Sequence, residues 1–479
     1  MISIITQLLL ILLITGQQIS AQKSVSDSTQ TFTQEIFFEF IKQYHPVARQ
    51  SKLLTEQAIA QLLIAKGGFD PQVYAYLDQK SFDNKNYFTL SKNGLKVPTW
   101  YGVEVAAGYQ LSNGDFLNPE NKSPVEGQAF AGVSVSLLQG LIIDQRRATL
   151  KQAHIFAQYN EAERLNMLNN LLYEAANTYW TWALAYNNLL LQQQAVQLAE
   201  LRLEWVTNTF LQGSRPALDT LEAMIQLQNR QFEQNEAELT YQNSALMVSN
   251  FLWYENDVPL EITPQLLPPL LNTLPLQIFD ADSLSHTTSL LRQSHPELLK
   301  YQYKLSELSV ERRLKSEKLK PKLNLNYNLL ANGVNFFNPE KYGSNSMFWQ
   351  NYKWGLELSM PLFLRSERGN LQLTKLKIKE TNYQLQQKQL ELYNKLNSSY
   401  NELLNNRRQI DLYTQTVNNY RILAEGEDTR FKYGESSLFL VNIRETKLIE
   451  AQNKLLELQA KHFKIMASIA FAAGVLHSK

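Results

Sequence analysis

The chain contains no cysteine. That excludes disulfides, thiolate metal sites, a cysteine nucleophile and an N-terminal lipidated cysteine. It also has no excess of one charge. The 46 Lys and Arg residues stand against 45 Asp and Glu, a net charge of +1 over 479 residues. No basic run supplies the electrostatic footprint of nucleic-acid binding. Six His and seven Met are scattered and suggest no ligand set. A phosphate-cradling glycine loop and a Gly-x-Ser-x-Gly elbow are both missing, and paired carboxylates occur only among helix-surface charges. The chain therefore reads as a non-enzyme without a cofactor. Long apolar runs are scarce as well. Leu8 to Ile14, followed by Ile19-Ser20-Ala21, marks residues 1–21 as a secretory signal peptide. That run is far shorter than the ~20 residues a membrane-spanning helix needs. Any membrane crossing must then be a β-barrel, the other structure that satisfies every backbone group in lipid.

What is present is periodicity of two kinds. Leu323, Leu325, Tyr327 and Leu329 alternate with Asn324, Asn326 and Asn328, and Trp354, Leu356, Leu358 and Met360 alternate with Gly355, Glu357 and Ser359. Period two predicts strands with one apolar and one polar face. Each run is about as long as a tilted strand crossing a bilayer. Phe336, Phe337, Phe348, Trp349, Tyr352 and Trp354 cluster near the intervening loop, where a barrel carries its aromatic girdle. A soluble hairpin with a half-buried face fits these residues equally well. In the first half, strand-like runs occupy 73–77, 103–111 and 131–138.

The second kind is helical. Residues 144–212 contain neither Gly nor Pro, which predicts about 100 Å of helix at 1.5 Å per residue. Leu165, Leu168, Leu172, Ala175, Tyr179, Trp182, Tyr186 and Leu189 follow heptad-like steps. Gly213 ends this helix, and Pro216 opens another that runs to about Tyr254. A helix over 32–66 is broken at His45-Pro46, after a loose polar stretch at 22–34. Residues 255–292 hold five prolines and read as a connector with little regular helix. Helix resumes from His295-Pro296 to Lys318, and again from Gly369 to Tyr433, where Gly434 turns the chain into a last helix ending near Gly474.

The order helix, strands, long helix, glycine turn and return helix occurs twice. His45-Pro46 answers His295-Pro296, Pro71 answers Pro321, and Phe210-Leu-Gln-Gly213 answers Phe431-Lys-Tyr-Gly434. The organisation expected is a signal (1–21), a first repeat (22–254), a Pro-rich connector (255–292), a second repeat (293–474) and a tail (475–479). Two hairpins give about four spanning strands. Four cannot close a barrel, and open edges in lipid are not tolerated. The chain is therefore expected to oligomerise and share its barrel. Three crossings in the first half would leave its long helix on the wrong side. Residues 100–112 and 128–138 are accordingly expected to span, with 70–80 partly below the membrane.

The duplicated plan, His295-Pro-Glu-Leu298, Pro321-Lys-Leu-Asn-Leu-Asn-Tyr327, Met360-Pro-Leu-Phe363 and Arg430-Phe-Lys-Tyr-Gly434 together resemble the TolC-type outer-membrane efflux proteins over nearly the whole mature chain. The resemblance implies a mainly α chain with membrane β. Its long antiparallel helices would form part of a periplasmic α-barrel, and its two hairpins would contribute to a 12-stranded trimeric β-barrel in the outer membrane of a Gram-negative bacterium. It implies a homotrimer that meets a periplasmic adaptor and an inner-membrane pump. The glycine turns would form a dilating tip, which maps to Gly213–Asp219 and Gly434–Ile443. Gly213, Arg215, Asp219, Tyr433, Gly434 and Glu435 are the candidate gate residues, with Asp428 and Arg430 as further polar contacts. The chain departs from the family where acidic residues line the constriction. Leu440 and Ile443 stand there, with Asn442 between them. If the apolar faces meet lipid, Leu323, Leu325, Tyr327, Trp354, Leu356 and Leu358 face outward, and Asn324, Asn326, Asn328 and Glu357 face the lumen. A periplasmic coiled-coil scaffold and a passive porin are the competing readings.

Overall fold

The computed structural model describes residues 30–333 and 351–478. The signal segment and the aromatics Phe336, Phe337, Phe348 and Trp349 lie outside the described residues. In chain order the elements are β1 (Gln30–Thr31), α1 (Gln34–Tyr44), α2 (Pro46–Gly67), β2 (Gln72–Phe82), β3 (Lys85–Pro98), β4 (Val103–Asn113), β5 (Gln128–Ser136), α3 (Gln145–Leu211) and α4 (Ala217–Ser249). There follow β6 (Trp253–Tyr254), β7 (Val258–Pro259), β8 (Leu266–Leu267), α5 (Ala281–Ser294), α6 (Pro296–Glu317), β9 (Lys322–Asn332), β10 (Tyr352–Ser359), α7 (Arg365–Lys432) and α8 (Leu438–Ala472). The chain divides into two compact units. One is drawn from residues up to Lys52, Arg164–Pro296 and Gln389 onward; the other comprises Leu53–Glu163 and Glu297–Lys388.

The first unit is helical. Its core packs Phe32, Phe37 and Ile41 against Leu172, Tyr179 and Trp182 of α3, with Val248, Leu271 and Leu476 closing the cluster. The Phe37 and Tyr179 rings stack at 5.6 Å, and the Tyr179 hydroxyl donates to the Phe32 carbonyl at 2.6 Å. Burial raises the pKa of that hydroxyl, which keeps it a donor. Phe32 therefore belongs to the core rather than to a loose N-terminal stretch, and β1 pairs in parallel with β8. The connector is also more regular than its prolines predict. Asp280 caps α5 by accepting from the Ser283 amide at 2.9 Å, and the Ser- and Thr-rich sequence after it hides the helix from a periodicity search. Asn187 on α3 accepts from the Leu271 amide and donates to the Pro269 carbonyl, so a buried amide satisfies connector backbone that has no strand or helix partner.

The second unit is built around one antiparallel sheet of order β10-β9-β5-β4-β3-β2. Pairing of β5 with β9 joins the two sequence repeats along eight residues, from Ala129↔Ala331 to Ser136↔Asn324. The first half thus contributes four strands rather than two. β3 is additional to the expected strands, and β2 pairs with it from Gln72 to Phe82. The β2–β3 turn is Asp83-Asn84, both residues in the left-handed region at φ 51° and 56°, the conformation a two-residue hairpin demands. An even strand number also removes the conflict that three crossings create, since the chain returns to the side it left. α7 begins at Arg365, before Gly369, with Leu364 at φ 49° in the turn that precedes it.

Candidate functional site

The two faces of the sheet differ in chemistry. Register places Trp354 beside Tyr327, Leu356 beside Leu325 and Leu358 beside Leu323, all on one face. Glu357 beside Asn324, Gly355 beside Asn326 and Lys353 beside Asn328 share the other face. The apolar face continues over Val133 and Val135 of β5, Val103 and Val105 of β4 and Leu95 and Val97 of β3 to Val73 of β2. It is uncovered: Val73 is 84% exposed, Leu358 67% and Trp354 60%. No helix of the described residues is apolar and long enough to span a membrane. An exposed apolar face of this extent is the kind of surface that marks an interaction with a membrane or a partner.

The opposite face is concave and polar, enclosing a hollow of about 780 Å³ whose lining includes Tyr74, Lys92, Lys96, Asn324, Asn326 and Glu357. Lys96 pairs with Glu104 at 2.7 Å and Arg146 approaches the same carboxylate at 3.4 Å. Glycines floor this face. A Cβ on Gly94 would lie 2.8 Å from the Tyr74 hydroxyl, and one on Gly108 2.7 Å from the Phe130 ring. Backbone and aromatic side chains therefore approach these positions too closely for a Cβ, the close approach that glycine in a strand permits.

The glycine turns lie in the helical unit. In each, glycine follows a long helix at positive φ, 75° for Gly213 and 78° for Gly434, and no heavy atom lies within 4 Å of where a Cβ would stand. Backbone conformation, not space, selects glycine here. The hydrogen bonds match: Gly213 N–H to Phe210 and Ser214 N–H to Thr209, Gly434 N–H to Phe431 and Glu435 N–H to Arg430. This is the paired capping pattern of a helix C-terminus.

Arg215 ties one turn to the other. Its guanidinium donates to the Phe431 carbonyl at 2.7 Å, lies 3.8 Å from the centre of the Phe431 ring, and reaches Asp219 at 3.5 Å. Charge at the negative end of α7 and a cation over a ring both favour the contact. Of the other candidate gate residues, Tyr433 is 80% exposed, and Glu435 offers its backbone carbonyl to Arg430. Asn442 is buried and donates to Glu222 at 3.2 Å, while Leu440 is exposed.

An ionic cluster that the sequence does not reveal stands next to this turn. Arg202 of α3 pairs with both Asp428 of α7, at 3.0 Å, and Glu445 of α8. Burial pushes the Glu445 carboxyl above its ordinary range. Glu427 is held below that range, first by the Ser436 hydroxyl at 2.6 Å and then by Arg430 and Arg444. Arg202, Asp428 and Glu445 are 17 to 243 positions apart in the chain, and single charged residues on a long polar helix give no sign of which neighbours they meet. Only Asp428 and Arg430 are legible, through their nearness to Gly434.

Residues 287–475 match the family described as Outer membrane efflux protein. The fold is similar to that of solved outer-membrane proteins, among them the following. The MtrE outer membrane channel of Neisseria gonorrhoeae, in its open state, gives a TM-score of 0.65 at 13% identity over 96% of this chain and 94% of that one. VceC of Vibrio cholerae, an outer membrane protein, gives 0.63 at 13% over 92% and 96%. The CmeC outer membrane channel of Campylobacter jejuni gives 0.61 at 14% over 96% and 90%. No curated protein matches the sequence. The matched family is named for outer membrane efflux, and MtrE and CmeC are outer membrane channels.

Proposed function

Since residues 287–475 carry an outer membrane efflux protein domain on the fold of a TolC-type channel, we propose that this chain forms a trimeric exit duct in the outer membrane of a Gram-negative bacterium. It would serve a tripartite efflux pump or a type I secretion system. The sheet crosses the outer membrane, and the helical part stands in the periplasm, where it meets an adaptor linked to an inner-membrane pump. Export energy comes from that pump. The observation that carries this reading is the sheet itself: an uncovered apolar face, a polar concave face and two edges that no strand of the described residues pairs. Unpaired edges in lipid require partner strands, which further copies of the chain supply. The 12 strands expected for the shared barrel assumed two hairpins per copy; a third hairpin changes that assumption.

The turns at Gly213 and Gly434 are the proposed gate. Arg215, held by Phe431 and Asp219, is a contact of the kind that separates discrete closed and open arrangements. The test has two parts. The protein is expected to stay with outer membranes through carbonate extraction and to need detergent for release. In planar bilayers it is expected to conduct weakly, with Arg215→Ala or Asp219→Ala raising the conductance. Release by carbonate alone would favour a helical scaffold. A large, steady conductance unaffected by either substitution would favour a passive pore.

A further inference from the structure

We infer that all six strands of each copy stand in the barrel wall, so that three copies close an 18-stranded barrel in which β10 of one copy pairs with β2 of the next. This rests on the trimeric outer-membrane reading above and replaces the four-strand contribution with six.

The register is the first support. A row of paired residues starting at Gln72, the first residue of β2, runs through Lys96, Ala106, Gly132 and Asn328 to Lys353 of β10. Lys353 stands six residues before Ser359, where β10 ends. The near ends of the strands therefore step down six residues across five interstrand gaps. At about 3.3 Å per residue and about 4.8 Å per gap, that stagger is a strand tilt of about 40°. Closed membrane barrels tilt their strands by about 35–45°. The stagger runs through β2 and β3 as it does through the other strands. On β4 the row from Gln72 lands at Ala106, past the first residue Val103, so half of the stagger arises on the β2–β3 side.

Strand direction and the edges are the second support. With six strands, the two edges run antiparallel, so a β10–β2 contact between copies continues the alternation without a parallel seam. Both edges present the same order of faces: Val73 and Leu77 of β2 lie exposed on the apolar side, as do Leu356 and Leu358 of β10. Tyr74 of β2 and Glu357 of β10 line the concave side. No strand lies beyond either edge among the described residues. A single copy cannot close on itself, because membrane barrels begin at about eight strands. Eighteen strands is a size at which a barrel encloses an aqueous channel. The outward face of β3 is its weakest panel, since Thr89, Ser91 and Asn93 share a side with Leu95 and Val97.

The absence of native cysteine makes disulfide trapping unambiguous. Faces must match, so the β10–β2 register can shift only in steps of two. If Ser359 meets Gln72, Leu356 meets Ala75; one step further, it meets Leu77. The full-length double variants Leu356→Cys/Ala75→Cys and Leu356→Cys/Leu77→Cys, oxidised in intact outer membranes, are expected to give a covalent trimer with one of the two. The control Leu356→Cys/Val105→Cys, which would link β10 to β4, is expected to give none. Cross-linking that stops at a dimer would mean 12 strands from two copies, and cross-linking through Val105→Cys would place the β2–β3 hairpin outside the wall; either overturns the inference. A carbonate-stable trimer with none of these links also overturns it while leaving the export reading intact. A carbonate-soluble monomer overturns both.

Discussion

The two halves of the chain repeat their helices closely and their strands loosely. α3 and α7, of 67 and 68 residues, each end in a glycine at φ 75–78° with the same pair of capping hydrogen bonds. α1 and α5 each stop at a histidine in extended conformation, before the proline that opens α2 or α6. Yet the first half has four strands in the sheet and the second has two. A helix of fixed length must turn at a fixed place, and the turn demands a positive φ that glycine meets. A sheet obeys a weaker rule: a whole hairpin can be added, because two further strands restore the end of the sheet at which the chain emerges. One further strand could not be added alone.

The largest expected effect asks whether the additional hairpin is wall like the rest. Leu356→Lys on β10 and Leu77→Lys on β2 each place a charge on the apolar face, at a cost of about 2–4 kcal/mol near the middle of a bilayer. Both are expected to reduce assembled, detergent-resistant protein in the outer membrane, by similar amounts. Asn326→Lys, on the concave face, is expected to leave assembly intact. A loss with Leu356→Lys but none with Leu77→Lys would separate the two halves and confine the wall to the strands they share.

Legibility in the sequence follows the strength of the local rule. Period two identifies β9 and β10, in which Leu323, Leu325 and Tyr327 pair with Leu358, Leu356 and Trp354 along one side of the ribbon. It finds β4 and β5 within a few residues. It misses β3 because the outward positions Thr89, Ser91 and Asn93 erase the contrast between faces. Asp83-Asn84 is a weak turn signal without a glycine, although both residue types tolerate positive φ. The parity conflict is the trace that the missing strand leaves behind. At the turns, Gly213, Arg215 and Gly434 are legible from the interruption of two long helices. Arg202, Glu427 and Glu445 are not, since a contact between helices distant in sequence leaves no mark in either one.

A smaller effect tests whether the two turns are physically equivalent. Gly213→Ala and Gly434→Ala meet no neighbouring atom, so each is expected to lose only the left-handed backbone preference, about 1 kcal/mol. The two losses should be equal, read as lowered Tm in detergent. Gly474→Ala is the contrast. It shares the positive φ of 74°, but its Cβ would lie 2.6 Å from Cδ of Pro296, so its loss is expected to be larger. Unequal losses at Gly213 and Gly434 would mean that one turn is strained in the assembled protein and the other is not.

The smallest effect separates a contact within the second half from one that joins the halves. Glu427 is held by Ser436, Arg430 and Arg444, all of the second half, and its folded pKa is lowered. Its stabilisation is present above the unfolded value of about 4.3 and is lost as pH falls through the depressed folded value. Glu445 faces Arg202 of the first half, and burial raises its pKa. Its contribution is complete below the unfolded value and is lost as pH rises through the raised folded one. Relative to the unsubstituted protein, Glu427→Gln is therefore expected to lose Tm as pH rises from about 3 to 6, and Glu445→Gln to gain it as pH rises from about 4 upward. Opposite slopes would assign the two carboxylates to different environments of one turn region. Parallel slopes would show that Arg202 outweighs burial at Glu445, making the joint between the halves an ordinary ion pair.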